Sequence, residues 1–419
     1  MSRRTIIVAC AAAWVLLTCG AADASAGGLE AERTASVFHS YEFEPVADTP
    51  APAPEGFKPF YISHYGRHGS RRLTGTFVSD TLAMLEAAEK GGGLTDAGRA
   101  LLADVRKIAA VHDGMIGQLA GRGAEEHRLL ARRMAARFPE VFARGGLVRC
   151  QSAAFHRVLI SQANFTIALK DAMPGLDFDF TTGDKYQMLL NGPKWSHEEA
   201  GKDGEIHAAV NALARSLVDP APLVKRIFAA DGAAANPLKF ARDLFAVASI
   251  CQCLRSELES LDIYRYFTPD ETGALSHVLE AEHFADMAAS EEFGEIPLRG
   301  TRALACDFVK RADEAIAAGT AVADLRFGHD SGLWPLAGLI GLEGPGERAP
   351  FADSWRKCPA WKWMPMAANL QIVFYRGASS GDILVKVLYN EREMRIGGLE
   401  PVQWPYYRWR DLKERMVER

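Results

Sequence analysis

Short apolar runs that are typical of strands lie near both ends of this 419-residue chain, with helical patterns between them. The predicted strands are, in chain order, residues 60–65, 146–150, 323–328, 370–375 and 383–388. This order predicts the α/β class: a mixed, mostly parallel sheet flanked by helices, formed by residues 60–177 and 300–419. Residues 178–299 have the Ala and Leu pattern of helices and are predicted to form a helical inserted subdomain. The polar residues 27–59 are predicted to be an N-terminal lead-in.

The start of the chain has the pattern of a secretory signal peptide, predicted over residues 1–26. Arg3 and Arg4 precede an apolar stretch at 6–17, and small residues of the A-x-A type follow. We therefore expect an exported protein, periplasmic or secreted. One alternative is an uncleaved membrane anchor, and another is a lipoprotein anchored at Cys19. No later segment is apolar enough to cross a membrane, so we expect no transmembrane span in the mature chain.

The net charge of −5 argues against nucleic acid as a partner, because binding to nucleic acid requires a basic face. Local arginines can still form a positive pocket in a mildly acidic protein. The composition therefore excludes a nucleic-acid partner and leaves a small anionic ligand open.

The cysteines do not indicate a metal. Five remain once the predicted signal is removed, an odd number that leaves at least one thiol unpaired. Cys251 and Cys253 form a C-x-C pair without a second ligand pair at zinc-binding spacing. Buried free thiols are therefore predicted, and neither a metal site nor a cofactor is expected.

The motif with the clearest chemistry is Arg67-His68-Gly69-Ser70-Arg71, directly after the first predicted strand. Catalytic sites are commonly built at the carboxyl end of such a strand. Arginine binds phosphate oxygens in bidentate fashion, and a neutral imidazole can attack phosphorus. Gly69 would let the backbone approach a ligand closely. The alternative is a chance tripeptide on a solvated turn.

A second motif, His329-Asp330, ends a predicted strand and opens an apolar helix. Asp330 could protonate a leaving alkoxide, and His329 could bind phosphate at a helix N-terminus, where the helix dipole favours anions. The alternative is that Asp330 only caps the helix.

A third candidate is Arg157, at the start of the helix that follows the strand at 146–150. Its position after a strand would let it point into the same crevice as the two motifs. The alternative is an ordinary surface charge, which is the usual role of a lone arginine on a helix.

With these residues the chain resembles the histidine acid phosphatases, the second branch of the histidine phosphatase superfamily. The resemblance runs from about Phe57 to about Ile396. The residues that match the family pattern R-H-G-x-R-x-P and its later H-D are Arg67, His68, Gly69, Arg71, His329 and Asp330. Leu73 takes the place of the usual proline, which affects loop rigidity more than chemistry.

The resemblance implies an in-line attack by His68 on the phosphorus of a small-molecule phosphate ester. The residues implied to hold the nonbridging oxygens are Arg67, Arg71, Arg157 and His329. Asp330 would protonate the leaving oxygen and later activate the water that hydrolyses phosphohistidine. Three arginines can neutralise a dianion without a metal.

Two parts of the sequence point to different subfamilies. The phrases at His156-Arg157 and Asn390-Glu391 resemble the multiple inositol polyphosphate phosphatases. Those enzymes usually carry H-A-E, however, whereas His329-Asp330 resembles the bacterial phytase and glucose-1-phosphatase group. Inositol polyphosphates, phytate above all, are the expected substrates, and sugar monophosphates are the alternative.

A highly charged substrate would need basic residues beyond the catalytic set. The candidates are Arg72, Lys185 and Lys194, whose alternative role is that of solvated surface residues. Three rival functions remain open: a branch-one phosphomutase-like enzyme, a phosphate-ester-binding protein of the same fold, and an adhesive surface at the aromatic residues 404–409. For those aromatic residues, packing of the tail against the core is the favoured interpretation.

Overall fold

The computed structural model describes residues 30–43, 51–191, 201–229, 234–319, 321–378 and 381–418. The predicted signal peptide and Cys19 lie outside these residues, so export stays a prediction. No helix among the described residues is long and apolar enough to cross a membrane.

The described residues form a sheet of eight strands with helices on both sides. The strands are β1 (Phe57–Arg67), β2 (Gly146–Ser152), β3 (Leu176–Thr181), β4 (Ala321–Gly328), β5 (Asn369–Gly377), β6 (Ile383–Tyr389), β7 (Arg392–Glu393) and β8 (Tyr406–Arg408). The helices are α1 (Phe77–Lys90), α2 (Asp96–His112), α3 (Gly121–Arg137), α4 (Pro139–Phe142), α5 (His156–Ala172), α6 (Asp184–Asn191), α7 (Asp203–Leu217), α8 (Ala221–Ile227), α9 (Pro237–Ile250), α10 (Pro269–Met287), α11 (Ile296–Gly300), α12 (Arg302–Ala318), α13 (Asp330–Ile340), α14 (Ser354–Lys357), α15 (Ala360–Trp363) and α16 (Trp409–Glu418).

The sheet order is β3-β2-β4-β1-β5-β6-β7, with β8 paired to β6. Strands β3, β2, β4 and β1 are parallel, and the pairings from β1 to β5 onward are antiparallel. The expected mixed α/β sheet with a parallel core is therefore confirmed. The register places Arg67 beside Gly328 and Ser152 beside Phe327, so β1, β4 and β2 end at one edge of the sheet. This edge carries the candidate site.

The helical prediction for the middle of the chain is wrong at its beginning. Residues from 178 belong to β3, which pairs in parallel with β2. Aspartates and phenylalanines alternate along Leu176–Thr181, and a period of two favours an edge strand over a helix. Beyond β3 the segment is mostly helical, as expected, from α6 to α11. The division of the chain into domains stays a prediction.

The lead-in is not an unpacked tail along its whole length. Two short 3₁₀ turns, separated by a kink at Ser36, span Arg33–Phe38, and the side chains of Ala35, Val37, Phe38 and Tyr41 are buried. These turns pack against α9, α10 and α15. The few apolar residues of this polar stretch therefore contact the core over long sequence distances.

Most of the cysteines and most of the C-terminal aromatic residues are buried, as the sequence predicts. All five cysteines of the described residues are unpaired, and all except the exposed Cys306 are buried. Tyr406, Tyr407 and Trp409 are buried against the sheet, whereas Trp404 is 38% exposed. Packing against the core, rather than adhesion, accounts for most of this aromatic run.

Candidate active site

The catalytic motif begins where β1 leaves the sheet. His68 donates its backbone N–H to Gly328 O (3.0 Å), and its own carbonyl accepts from Ala367 N (2.9 Å). A Cβ on Gly69 would lie 2.5 Å from Gly123 O, so this position requires glycine. The close approach of the two glycines brings α3 against the loop and fixes the loop beneath the site.

The imidazole of His68 is buried in one defined tautomer. Its Nδ1 lies 2.9 Å from Gly69 O, and because a carbonyl can only accept, Nδ1 carries the proton. Nε2 therefore has a free lone pair. Burial first, and then the charges of Arg157 and Arg67, hold the pKa of His68 well below its usual value. The lowered pKa favours the neutral ring, whose Nε2 lone pair is available to a ligand.

Arg67 is fully buried and its guanidinium is fixed from three sides. Nη1 donates to Val37 O and to Met364 O, both at 2.7 Å. Nη2 forms an ion pair with Asp330 Oδ2 at 2.6 Å. These partners hold the guanidinium beside the Asp330 carboxylate and the His68 imidazole.

Arg157 and His329 contact each other next to His68. Arg157 Nη2 lies 2.9 Å from His329 Nε2, and the rings of His329 and His68 meet edge to face at 5.2 Å. Since the guanidinium can only donate, His329 Nε2 accepts and Nδ1 carries the proton. Burial, followed by the charge of Arg157, lowers the pKa of His329 to about 3, so it is a neutral donor.

Several buried donors at this site lack an acceptor. In the part of the chain that the structure describes, none of Arg67 Nε, Arg71 Nε, Arg157 Nε and His329 Nδ1 has a hydrogen-bond partner. A buried donor without a partner is costly, and a cluster of such donors, three of them on arginines, is suited to bind an anion. Together with His68 and Asp330, these residues form what we call the phosphate pocket.

Asp330 is the first residue of α13, with His329 as the N-cap. Among the residues that the structure describes, the N-cap makes no side-chain capping bond, and Asp330 Oδ1 accepts from the next residue, Ser331 N (3.0 Å), alone. The capping role that the sequence left open therefore does not describe this carboxylate well. Burial raises its pKa, but Arg67 and the neighbouring histidines outweigh burial and lower it to about 2.

Sequence reasoning did not assign a role to Glu126, which supports the loop from below. Its buried carboxylate accepts from Ser70 N (2.7 Å), from Ser70 Oγ (2.6 Å) and from Tyr41 N (3.1 Å). Ser161 Oγ accepts from Gly69 N at 3.1 Å. The sequence feature that could have revealed this role is an acidic residue on the apolar face of α3. An unpaired charge is costly there, so a buried partner is expected.

The three specificity candidates lie in different surroundings. Arg72 is buried, and its guanidinium donates to Val111 O (2.6 Å), to Leu119 O (3.0 Å) and to Glu257 (3.3 Å). These contacts favour a structural role for Arg72. Lys185 is exposed near the start of α6. Lys194 lies outside the described residues, so its role and that of Lys185 stay predictions.

Among the described residues no group of three or more His, Cys, Asp or Glu side chains could hold a metal ion. The nearby positive charge comes from arginines. That the reaction needs no metal stays a prediction.

Comparisons with known proteins support the fold. No family model matches the chain, and no curated protein sequence matches it. Among solved structures, the multiple inositol polyphosphate phosphatase of Bifidobacterium longum in complex with inositol hexasulfate superposes with a TM-score of 0.79 at 22% identity. The match covers 91% of this chain and 97% of that one. The chain has the fold of this phosphatase.

A second solved structure, the phytase of D. castellii, has a TM-score of 0.69 at 14% identity. It covers 92% of this chain and 85% of the phytase. The resemblance to the histidine acid phosphatases, predicted from a few motif residues, is thereby confirmed for the fold.

Proposed function

We propose that this protein is a phosphatase that hydrolyses phosphate monoesters through a phosphohistidine intermediate on His68. The observation that carries the proposal is the phosphate pocket: a buried imidazole with a free Nε2, next to three arginines whose Nε atoms lack acceptors. The similarity in fold to a phosphatase and to a phytase supports it.

In the first step, His68 Nε2 forms a bond to phosphorus while the bond from phosphorus to the ester oxygen breaks. Asp330 transfers its proton to the departing oxygen, which leaves as an alcohol. Arg67, Arg71 and Arg157 stabilise the charge on the three nonbridging oxygens in the transition state.

In the second step, water attacks the phosphorus of phosphohistidine. The Asp330 carboxylate accepts a proton from this water, the bond between Nε2 and phosphorus breaks, and inorganic phosphate is released. His68 returns to the neutral form that Gly69 O stabilises. One carboxyl group thus acts as acid and then as base.

We expect kcat/KM to be highest between two pKa values. Asp330, with a pKa of about 2, is ionised in the free protein above that pH, so the substrate must bring the proton. A phosphate monoester loses its last proton near a pKa of about 6. Catalytic efficiency should therefore rise as the pH increases through about 2 and fall as it increases through about 6. A kcat/KM that keeps rising above neutral pH would contradict this assignment of the protons.

We further propose inositol polyphosphates, phytate above all, as the substrates. The phrases at His156-Arg157 and Asn390-Glu391 support this, and so does the fold shared with a phosphatase solved with inositol hexasulfate. Sugar monophosphates remain the second candidate, because of His329-Asp330. In this proposal, Lys185 contacts a phosphate group other than the one being hydrolysed.

A phosphate-release panel with phytate, glucose 1-phosphate and a small aryl phosphate tests the substrate. We expect the highest kcat/KM on phytate, with a steeper loss at high salt than on the aryl ester, because exposed charge pairs are screened. Lys185→Ala should raise KM for phytate about threefold, the value of one exposed ion pair, and spare the aryl ester. Lys90→Ala, which removes another exposed lysine, is the control. Higher efficiency on glucose 1-phosphate would reject the inositol assignment but not the phosphatase.

A further inference from the structure

Residues 36–41, which we call the N-terminal strap, contact both catalytic arginines of the β1 loop. The carbonyl of Val37 accepts from Arg67 Nη1 at 2.7 Å. The ring of Phe38 lies under Arg71, with Cζ 5.8 Å from the ring centre. A stretch that the sequence assigns to a polar lead-in thus supplies two contacts to the phosphate pocket.

The strap also contacts the backbone around the nucleophile. His39 O accepts from Met366 N at 2.7 Å, and the next residue, Ala367, donates to His68 O. Tyr41 N donates to the Glu126 carboxylate, whose other oxygen accepts from Ser70 N. Arg67 and Arg71 therefore contact the strap directly, and His68 is linked to it through the backbone of residues 366–367.

Ser36 determines the path of the strap. It is fully buried, with φ 50° and ψ −132°, a region that residues other than glycine rarely adopt. Such a conformation persists only where the surroundings impose it, and it is typical of functional sites. Helix α10 lies against it, with His283 Nδ1 3.4 Å from Ser36 Oγ. From the same helix, the Glu280 carboxylate accepts from Ala360 N at 2.7 Å.

We propose that the strap residues are positioning residues of the catalytic centre, with Ser36 aiming the Val37 carbonyl at Arg67 and Phe38 supporting Arg71. This inference rests on the proposed phosphatase function. The strap touches no reacting atom and acts through the two arginines.

The ion pair between Arg67 and Asp330 gives this role a distinctive readout. Other titratable groups also face Asp330 from the surrounding elements: Tyr65, Arg71, Arg157, His283, His329 and Tyr389. Of all these, Arg67 lowers the pKa of Asp330 most. If the Val37 carbonyl moves, Arg67 loses its alignment and the pKa of Asp330 rises. The acid limb of the pH profile, which is the fall of kcat/KM below the pKa of Asp330, then moves to higher pH. A general loss of stability would not cause this shift.

The test compares Ser36→Val with Ser36→Gly and Leu412→Ala. Valine is poorly tolerated at positive φ, so the strap must shift, whereas glycine adopts this conformation freely. We expect Ser36→Val to lower kcat/KM on an aryl phosphate about tenfold or more. The same substitution should shift the acid limb of the pH profile to higher pH. Ser36→Gly should keep the limb of the wild type. Leu412→Ala removes a buried side chain of α16 and should lower Tm while leaving the limb in place.

A Ser36→Val variant whose Tm falls as that of Leu412→Ala does, but whose acid limb stays at the pH of the wild type, would overturn the proposal.

Phe38→Leu provides a second test that requires no turnover, with inorganic phosphate as the probe. Loss of the ring under Arg71 should weaken phosphate binding, measured by calorimetry, about fivefold. Unchanged affinity would overturn the role of Phe38 whether or not the protein hydrolyses any ester, whereas an inactive wild type would reject the proposed function itself.

Discussion

Replacing His68 with alanine should abolish turnover and leave the fold intact. The second neutral imidazole of the described phosphate pocket, His329, has its Nε2 lone pair engaged by Arg157 Nη2, so it does not replace His68 as the nucleophile. We expect a loss of about 10⁴-fold or more in kcat, which corresponds to about 5.4 kcal/mol of barrier at 1.36 kcal/mol per tenfold change. Steady-state kinetics on an aryl phosphate measures this loss, and circular dichroism checks the fold.

A matched control is His207→Ala, which removes an exposed histidine of α7 and should retain the activity of the wild type. Alkaline-quench experiments with substrate labelled in its phosphoryl group add a direct observation. The wild type should retain label in a form that acid releases and base preserves, and His68→Ala should retain none. Activity of His68→Ala within about tenfold of the wild type, a change of only about 1.4 kcal/mol, would reject the phosphohistidine mechanism.

The core of this site could be predicted because its motifs follow strands that are neighbours in the sheet. Arg67 ends β1 and His68 follows it, His329 follows β4, and Arg157 lies in the first turn of the helix after β2. Strands β2, β4 and β1 are adjacent and parallel, so their carboxyl ends meet. Residues far apart in sequence are thus brought together by one sheet edge, which the pattern of strands and helices already indicated.

The support beneath the site could not be predicted in the same way. Arg67 is held by the carbonyls of Val37 and Met364, and a backbone carbonyl has no signature in the sequence. The strap was missed for this reason, since its few apolar residues lie in a polar stretch. Its burial becomes visible only when α10 and α15 are in place.

Arg72 illustrates a second limit of prediction from sequence, which concerns the direction in which a side chain points. It follows the catalytic motif directly, and proximity in sequence made it a candidate for the substrate. The structure gives its guanidinium three protein acceptors, two of them carbonyls of the segment at 111–119. Adjacent residues can point to opposite sides of a loop, so sequence proximity to a catalytic group does not determine what a side chain contacts.

Replacing Asp330 with asparagine should slow the hydrolysis of alkyl phosphates about 10³-fold and that of aryl phosphates less than about tenfold. Proton transfer from a positioned acid contributes roughly 10²–10⁴-fold where the leaving oxygen is strongly basic. An aryl oxide leaves without this help. Asparagine keeps an oxygen that can accept from Ser331 N, so the start of α13 should be preserved. The ratio of kcat values on the two ester types measures the effect.

The control for this substitution is Asp307→Asn, which removes a carboxylate of nearly equal exposure, 18% against 19% for Asp330, that is paired with Arg326. It should lower stability without changing the ratio between alkyl and aryl esters. Asp330 has a second task, because it neutralises Arg67, and the substitution removes that charge as well. If that pairing were its only task, Asp330→Asn would change both ester types equally, and the acid would have to be sought elsewhere. A loss that grows with the basicity of the leaving oxygen, together with loss of the acid limb near pH 2, identifies Asp330 as the proton donor.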